Sequence, residues 1–194
     1  MNQTKLRQLN EEMEKYFQEL YAPEGRILVP GDGDASARVA LVGEAPGEQE
    51  ALLRRPFVGR AGKNLDEFLS LTGLKRPQLY ITNAVKFRPV RQTQRGQANR
   101  PPTREEIELF RPWLLKELGL VRPRLVASLG NVPLLALTGR RAAIGQLHGQ
   151  MLELPELGCA LFPLYHPAAV IYNPSLREAY LRDMQRFGQL CARL

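Results

Sequence analysis

At 194 residues the chain is long enough for one compact domain with a substantial core, and short for two. Its 44% hydrophobic content is ordinary for a globular protein, and no stretch approaches the run of about 18 apolar residues that a membrane span needs. A net charge of +7 suits a polyanionic partner, and the isolated cysteines Cys159 and Cys191 make neither a disulfide framework nor a CxxC metal knuckle.

In chain order, the opening Met1-Asn2-Gln3-Thr4-Lys5 has no apolar signal core, so a cytoplasmic location without membrane attachment is expected. Leu6, Leu9, Met13, Phe17 and Leu20 then form an amphipathic stripe that predicts a helix over residues 4–20. Four short apolar runs predict strands, at residues 38–42, 79–82, 124–129 and 160–165. Helical patterns separate them. Leu65, Phe68 and Leu69 mark a helix over residues 62–71, and Thr103 with Glu106 makes a capping box ahead of Ile107, Phe110, Trp113 and Leu114. Asn131-Val132-Pro133 opens a helix ending near Gly139, and Asn173-Pro174 opens a final one running towards Arg193. Residues 91–102, rich in Arg, Gln and Pro, read as an exposed loop. Strands alternating with helices predict one domain over residues 1–194: a three-layer α/β/α sandwich around a four-stranded parallel sheet.

In open parallel sheets, ligands bind beyond the carboxyl ends of the strands. There the first strand runs into Gly43-Glu44-Ala45-Pro46-Gly47-Glu48-Gln49-Glu50, the second into Asn83-Ala84-Val85-Lys86, the third into Gly130-Asn131 and the fourth into His166-Pro167. Acid, amide and imidazole should therefore meet in one cleft. The Gly43–Gly47 turn lets a ligand approach main-chain N–H groups, and an asparagine amide offers the donor and acceptor that a pyrimidine edge demands. Phe57 sits in a loop between arginines, where a core anchor and a stacking platform for a base are rival readings. His148 reads as a packing residue. Arg54, Arg55, Arg60 and Lys63 flank one motif, while Lys86, Arg88, Arg91, Arg95, Arg100 and Arg104 crowd a second region; phosphate contacts are expected of both clusters.

These segments resemble the family 4 uracil-DNA glycosylases of bacteria and archaea. The resemblance rests on Gly43–Glu50, on Pro56-Phe57-Val58-Gly59-Arg60-Ala61-Gly62, on Thr82–Lys86, and on His166-Pro167-Ala168-Ala169 with Asn173-Pro174-Ser175-Leu176. It implies a monofunctional enzyme that flips uracil out of single- or double-stranded DNA, hydrolyses its N-glycosidic bond and works as a monomer. Phe57 would stack on the base, Asn83 would read its Watson–Crick edge, and a backbone N–H near Ala45 would hold one oxygen. His166 would stabilise the leaving uracilate, while Glu44 and Glu50 would lie near the attacking water or the sugar. Arg60, Lys63, Lys86, Arg88 and Tyr172 would contact DNA. A catalytically silent DNA-binding relative is the alternative, and a small-molecule nucleotide-binding protein a third reading.

Two departures from the family pattern stand out. Family 4 enzymes typically carry a four-iron–four-sulfur cluster on four cysteines, and here those positions fall at Phe17, Leu20, Phe87 and near Phe110. No cofactor is expected, and the four apolar side chains should meet as a hydrophobic plug. Ile171-Tyr172 also stands where relatives usually have Leu-Arg, which replaces a phosphate-contacting arginine by an aromatic ring.

Overall fold

The computed structural model describes residues 2–21 and 24–194; the side chain of Phe68 lies outside the described residues. Helix α1 (Asn2–Tyr21) is followed by β1 (Asp32–Gly33), β2 (Val39–Gly43), α2 (Glu48–Leu53), α3 (Arg60–Ser70) and β3 (Leu79–Asn83). A hairpin of β4 (Val90–Thr93) and β5 (Gly96–Asn99) precedes α4 (Arg104–Val121), β6 (Leu125–Leu129), α5 (Asn131–Thr138) and α6 (Ile144–Leu147). The chain closes with β7 (Leu152–Leu154), β8 (Cys159–Leu164), α7 (Pro167–Tyr172) and α8 (Arg177–Cys191).

The sheet order is β1-β3-β2-β6-β8-β7. Its four central strands are the four read from the apolar runs, and they pair in parallel as expected. The expected four-stranded sheet is, however, six-stranded: β1 and β7 add antiparallel edges. At two and three residues they are too short for a periodic signal. The second correction is the β4–β5 hairpin, which stands where an irregular loop was expected.

The central strands are buried on both faces, which is why they read as continuous apolar runs. Ala40, Val42, Tyr80 and Val126 pack with α1, α4 and α5 on one side. Val39, Leu41, Leu79, Ile81 and Leu125 face α3 and α8 on the other. The Thr103–Glu106 capping box is formed, and Gly139 ends α5 in the left-handed conformation at φ 67°. Asn173 caps a 3-10 turn, Pro174–Leu176, that leads into α8.

Three of the four side chains expected to form a hydrophobic plug do meet. Phe17 stacks on Phe110 with centroids 4.2 Å apart, and Phe87 meets Phe110 edge-on at 5.4 Å. All three are buried, whereas Leu20 is 49% exposed and takes no part. Tyr21 stands in its place, 6.0 Å from Phe17 and 5.3 Å from Phe87. The Arg26 guanidinium closes the cluster, 4.3 Å above the Tyr21 ring and 4.1 Å above Phe87, with Glu24 and Glu106 as its carboxylate partners. Aromatic carbon offers no ligand to iron, so an iron–sulfur cluster does not fit these residues. The rings instead pin α1 to α4 and to the segment leaving β3. Phe110→Ala should lower stability by about 3–5 kcal/mol in urea titration, while an iron chelator should leave the wild-type midpoint unmoved.

Candidate active site

Where β2 and β3 end, Gly43 is the ladder partner of Asn83. A Cβ built on Gly43 would overlap Asn83 Oδ1 and lie 2.5 Å from Phe57 Cζ, so the amide and the ring close on one point that a glycine leaves open. Beyond it, Ala84 N donates to Gly43 O at 2.9 Å and Val85 N to Glu44 O at 3.1 Å, fastening the two strand exits together. Asn83 is 3% exposed, and its side-chain amide has no hydrogen-bond partner among the described residues.

Phe57 reaches this point from a strained backbone. Its φ of 55° lies in the left-handed region, which costs a non-glycine residue on the order of 1–3 kcal/mol. The strain is held from outside: Arg76 Nη2 donates to the Phe57 carbonyl at 2.6 Å, and a side chain at Gly62 would overlap that same carbonyl. The ring packs in the core with Val39 and Leu65, as a core anchor does, and also lines the cleft.

Glu44 and Glu50 lie in different environments. Glu50 is buried, and its two oxygens are both engaged: Oε1 accepts from Gly59 N at 2.7 Å and Oε2 from Gly47 N at 3.1 Å. It clamps the Gly43–Gly47 turn to the Phe57 loop. Glu44 has no such partner among the described residues, and burial raises its carboxyl above the ordinary glutamate range.

His166 caps the N-terminus of α7. Its Nδ1 accepts from Ala168 N at 3.2 Å, which puts the ring proton on Nε2, and burial lowers its pKa so that the imidazole is neutral near pH 7. Its ring centroid lies 6.4 Å from that of Phe57. Phe57, Asn83, His166, Glu44, Ala45 and Glu50 all line one cavity of about 470 Å³, within the usual span of small-ligand sites, roughly 300–1,000 Å³.

The basic residues divide. Arg60 lies on the cavity wall with Lys63 exposed one turn along α3, and Tyr172, 78% exposed, stands at the rim beside Ile171. Lys86 is a correction: it is fully buried, with Nζ 2.5 Å from Glu117 Oε2 and from Thr82 Oγ1, so it cannot reach a phosphate. Glu117 also accepts from Tyr80 and from Gly31 N, which satisfies the buried pair. Arg88 is held inward by Asn99 at 2.7 Å and Glu48 at 3.2 Å. Arg54 pairs with Glu14, Arg55 with Asp32, and Arg100 with Glu106. Arg100, expected among the phosphate-contacting cations, lies on the cavity wall, and sequence reasoning missed the wall residues Asn64 and Asn99. A polar Asn64 one turn after Arg60 on an otherwise amphipathic helix was the available signal; its amide nitrogen is buried with no hydrogen-bond partner among the described residues.

Residues 30–186 match the uracil-DNA glycosylase superfamily. The chain is 39% identical over 171 residues to the type-4 uracil-DNA glycosylase of Archaeoglobus fulgidus, covering 85% of this chain and 82% of that protein. The type-4 enzymes of Pyrobaculum aerophilum and Sulfurisphaera tokodaii are 39% and 36% identical, over 82% and 84% of this chain and 81% and 74% of theirs. The chain belongs to the uracil-DNA glycosylase superfamily, in its type-4 family.

Gly43→Ala tests the packing of the site. It should fold, by circular dichroism, yet lose about 10²-fold in activity, because the new methyl displaces both Asn83 and Phe57.

Proposed function

We infer that the protein is a uracil-DNA glycosylase that hydrolyses the bond between uracil and deoxyribose in DNA and leaves an abasic site. The observation that carries this is the meeting of Phe57, the Asn83 amide and a neutral His166 in one cavity with room for a flipped nucleotide. Breaking the N1–C1′ bond sends its electron pair into the base, which leaves as an anion with charge on its two carbonyl oxygens. Nε2–H of His166 and a main-chain N–H near Ala45 donate to those oxygens, and they gain strength as the charge grows. Asn83 pairs with the Watson–Crick edge, and the Phe57 face stacks on the flipped ring.

The sugar develops positive charge while the bond opens. Glu44, free of internal partners, faces that charge and takes the proton of the water whose oxygen bonds to C1′. Glu50, with one backbone N–H on each oxygen, positions the two loops. Among the described residues that line the cavity there is no lysine, so nothing there forms a Schiff base and the reaction ends at the abasic site. Arg60 and Lys63 contact the DNA backbone, and Tyr172 fills the space vacated by the flipped nucleotide. We read the enzyme as a cytoplasmic monomer; no described helix is long and apolar enough to cross a membrane.

Incubation with a labelled uracil oligonucleotide followed by alkali should give strand breaks, and His166→Ala should slow them by on the order of 10²–10³. DNA retarded but never cut would instead favour a silent binder. The pH profile follows from Glu44. Its carboxylate must be ionised, and its pKa is raised, so the rate should fall on acidification with a midpoint above the usual glutamate value near ~4.3. Burial lowers the His166 pKa, so this imidazole too gains its proton only on the acid side, and the Glu44 variant separates the two groups. Glu44→Gln should cost about 10²–10⁴ in kcat and abolish this acid limb; an unchanged limb assigns the titration to another group.

A further inference from the structure

The β4–β5 hairpin forms a two-stranded sheet of its own, outside the main sheet, and its residues 91–97 are all exposed. Its root is nonetheless fastened firmly. Arg100 donates to Val90 O at 3.1 Å, to Pro101 O at 3.0 Å and to both oxygens of Glu106, while Arg100 N donates to Pro89 O at 3.1 Å. Arg88 joins Asn99 to Glu48 on α2. Pro89, Asn99 and Arg100 at that root line the base cavity, so the arm rises from the rim of the active site.

A rigidly rooted arm that buries almost nothing adds little to the core. Its chemistry is also one-sided. From Ala84 to Thr103 the chain holds no carboxylate. Three of its cations, Lys86, Arg88 and Arg100, are neutralised by Glu117, Glu48 and Glu106, whereas Arg91 and Arg95 have no ion-pair partner among the described residues. In the ladder Gln92 pairs with Gln97 and Val90 with Asn99, so strand alternation puts both glutamines on the same face as the cavity-lining Asn99. That face offers amide donors and acceptors and no aromatic or large aliphatic anchor, which suits a phosphate backbone with exposed bases better than a protein surface.

We propose that the Val90–Asn99 hairpin is a DNA-gripping arm that holds the strand next to the flipped uridine: Gln92 and Gln97 on the cavity-side face take its unpaired base edges, while Arg95 in the turn and Arg91 on the opposite face, paired with Ala98, take phosphates as the strand passes around the arm. This rests on the glycosylase reading. The arm supplies strand affinity and leaves the chemical step to the cavity.

The test is Arg91→Ala/Arg95→Ala, compared with wild type in steady-state uracil release from a single-stranded oligonucleotide across a salt series. Anisotropy binding to a single strand carrying an abasic site is measured in parallel. Losing two phosphate contacts should flatten the slope of log(kcat/KM) against log[salt] by about 1.4 and weaken binding about tenfold at 0.15 M salt. The rate at saturating substrate should change less than twofold. Gln92→Ala/Gln97→Ala should weaken binding without changing the salt slope. An unaltered slope and affinity in the arginine variant overturns the proposal, as does a fall in kcat with KM and affinity unchanged. Absence of uracil release by the wild type would defeat the glycosylase reading instead, and the anisotropy arm would still decide the role of the hairpin.

Discussion

Where the two innermost parallel strands end, Gly43 faces Asn83 across the ladder, and the room its missing side chain leaves is what lets the Asn83 amide and the Phe57 ring come together at the cavity. The other parts of the site are arranged to preserve that gap. Glu50 ties the turn after Gly43 to the loop bearing Phe57, and Arg76 holds the strained Phe57 carbonyl. Lys86, three residues beyond Asn83, is locked to Glu117 on α4. The strain and the buried charges lie next to the reacting groups, where rigidity lowers the cost of organising donors for a developing anion.

The same segment links chemistry to stability. Asn83 faces the cavity, Lys86 enters a buried ion pair, Phe87 joins the aromatic cluster and Arg88 holds the base of the hairpin. The aromatic cluster under Arg26 supports this segment through packing, without any metal–ligand bond. Loosening it should therefore reach the active site through the backbone of residues 83–88.

The sequence was most legible where one physical signal dominated. Central strands buried on both faces left continuous apolar runs, and helix starts were marked by Thr103, Asn131 and Asn173. The convergence of Glu44, Asn83 and His166 followed from the strand-end rule once the strands were placed. What escaped depended on partners distant in sequence or on very short pairing. The burial of Lys86 is set by Glu117, 31 residues later. Tyr21 replaced Leu20 because both continue the α1 stripe after Phe17, and Tyr21 gains the contact with Arg26. The β4–β5 arm lacks apolar alternation, since its pairing serves an exposed surface. The inward turn of Glu50 depends on two backbone N–H groups that no composition rule reveals.

The most direct measurement is a crystal structure of the protein soaked with free uracil. The ring should lie against Phe57, with its amide edge on the Asn83 side chain and one carbonyl oxygen within hydrogen-bond reach of His166 Nε2. Uracil bound at saturating concentration anywhere else, or in this cavity with Asn83 and His166 turned away from it, would contradict the account.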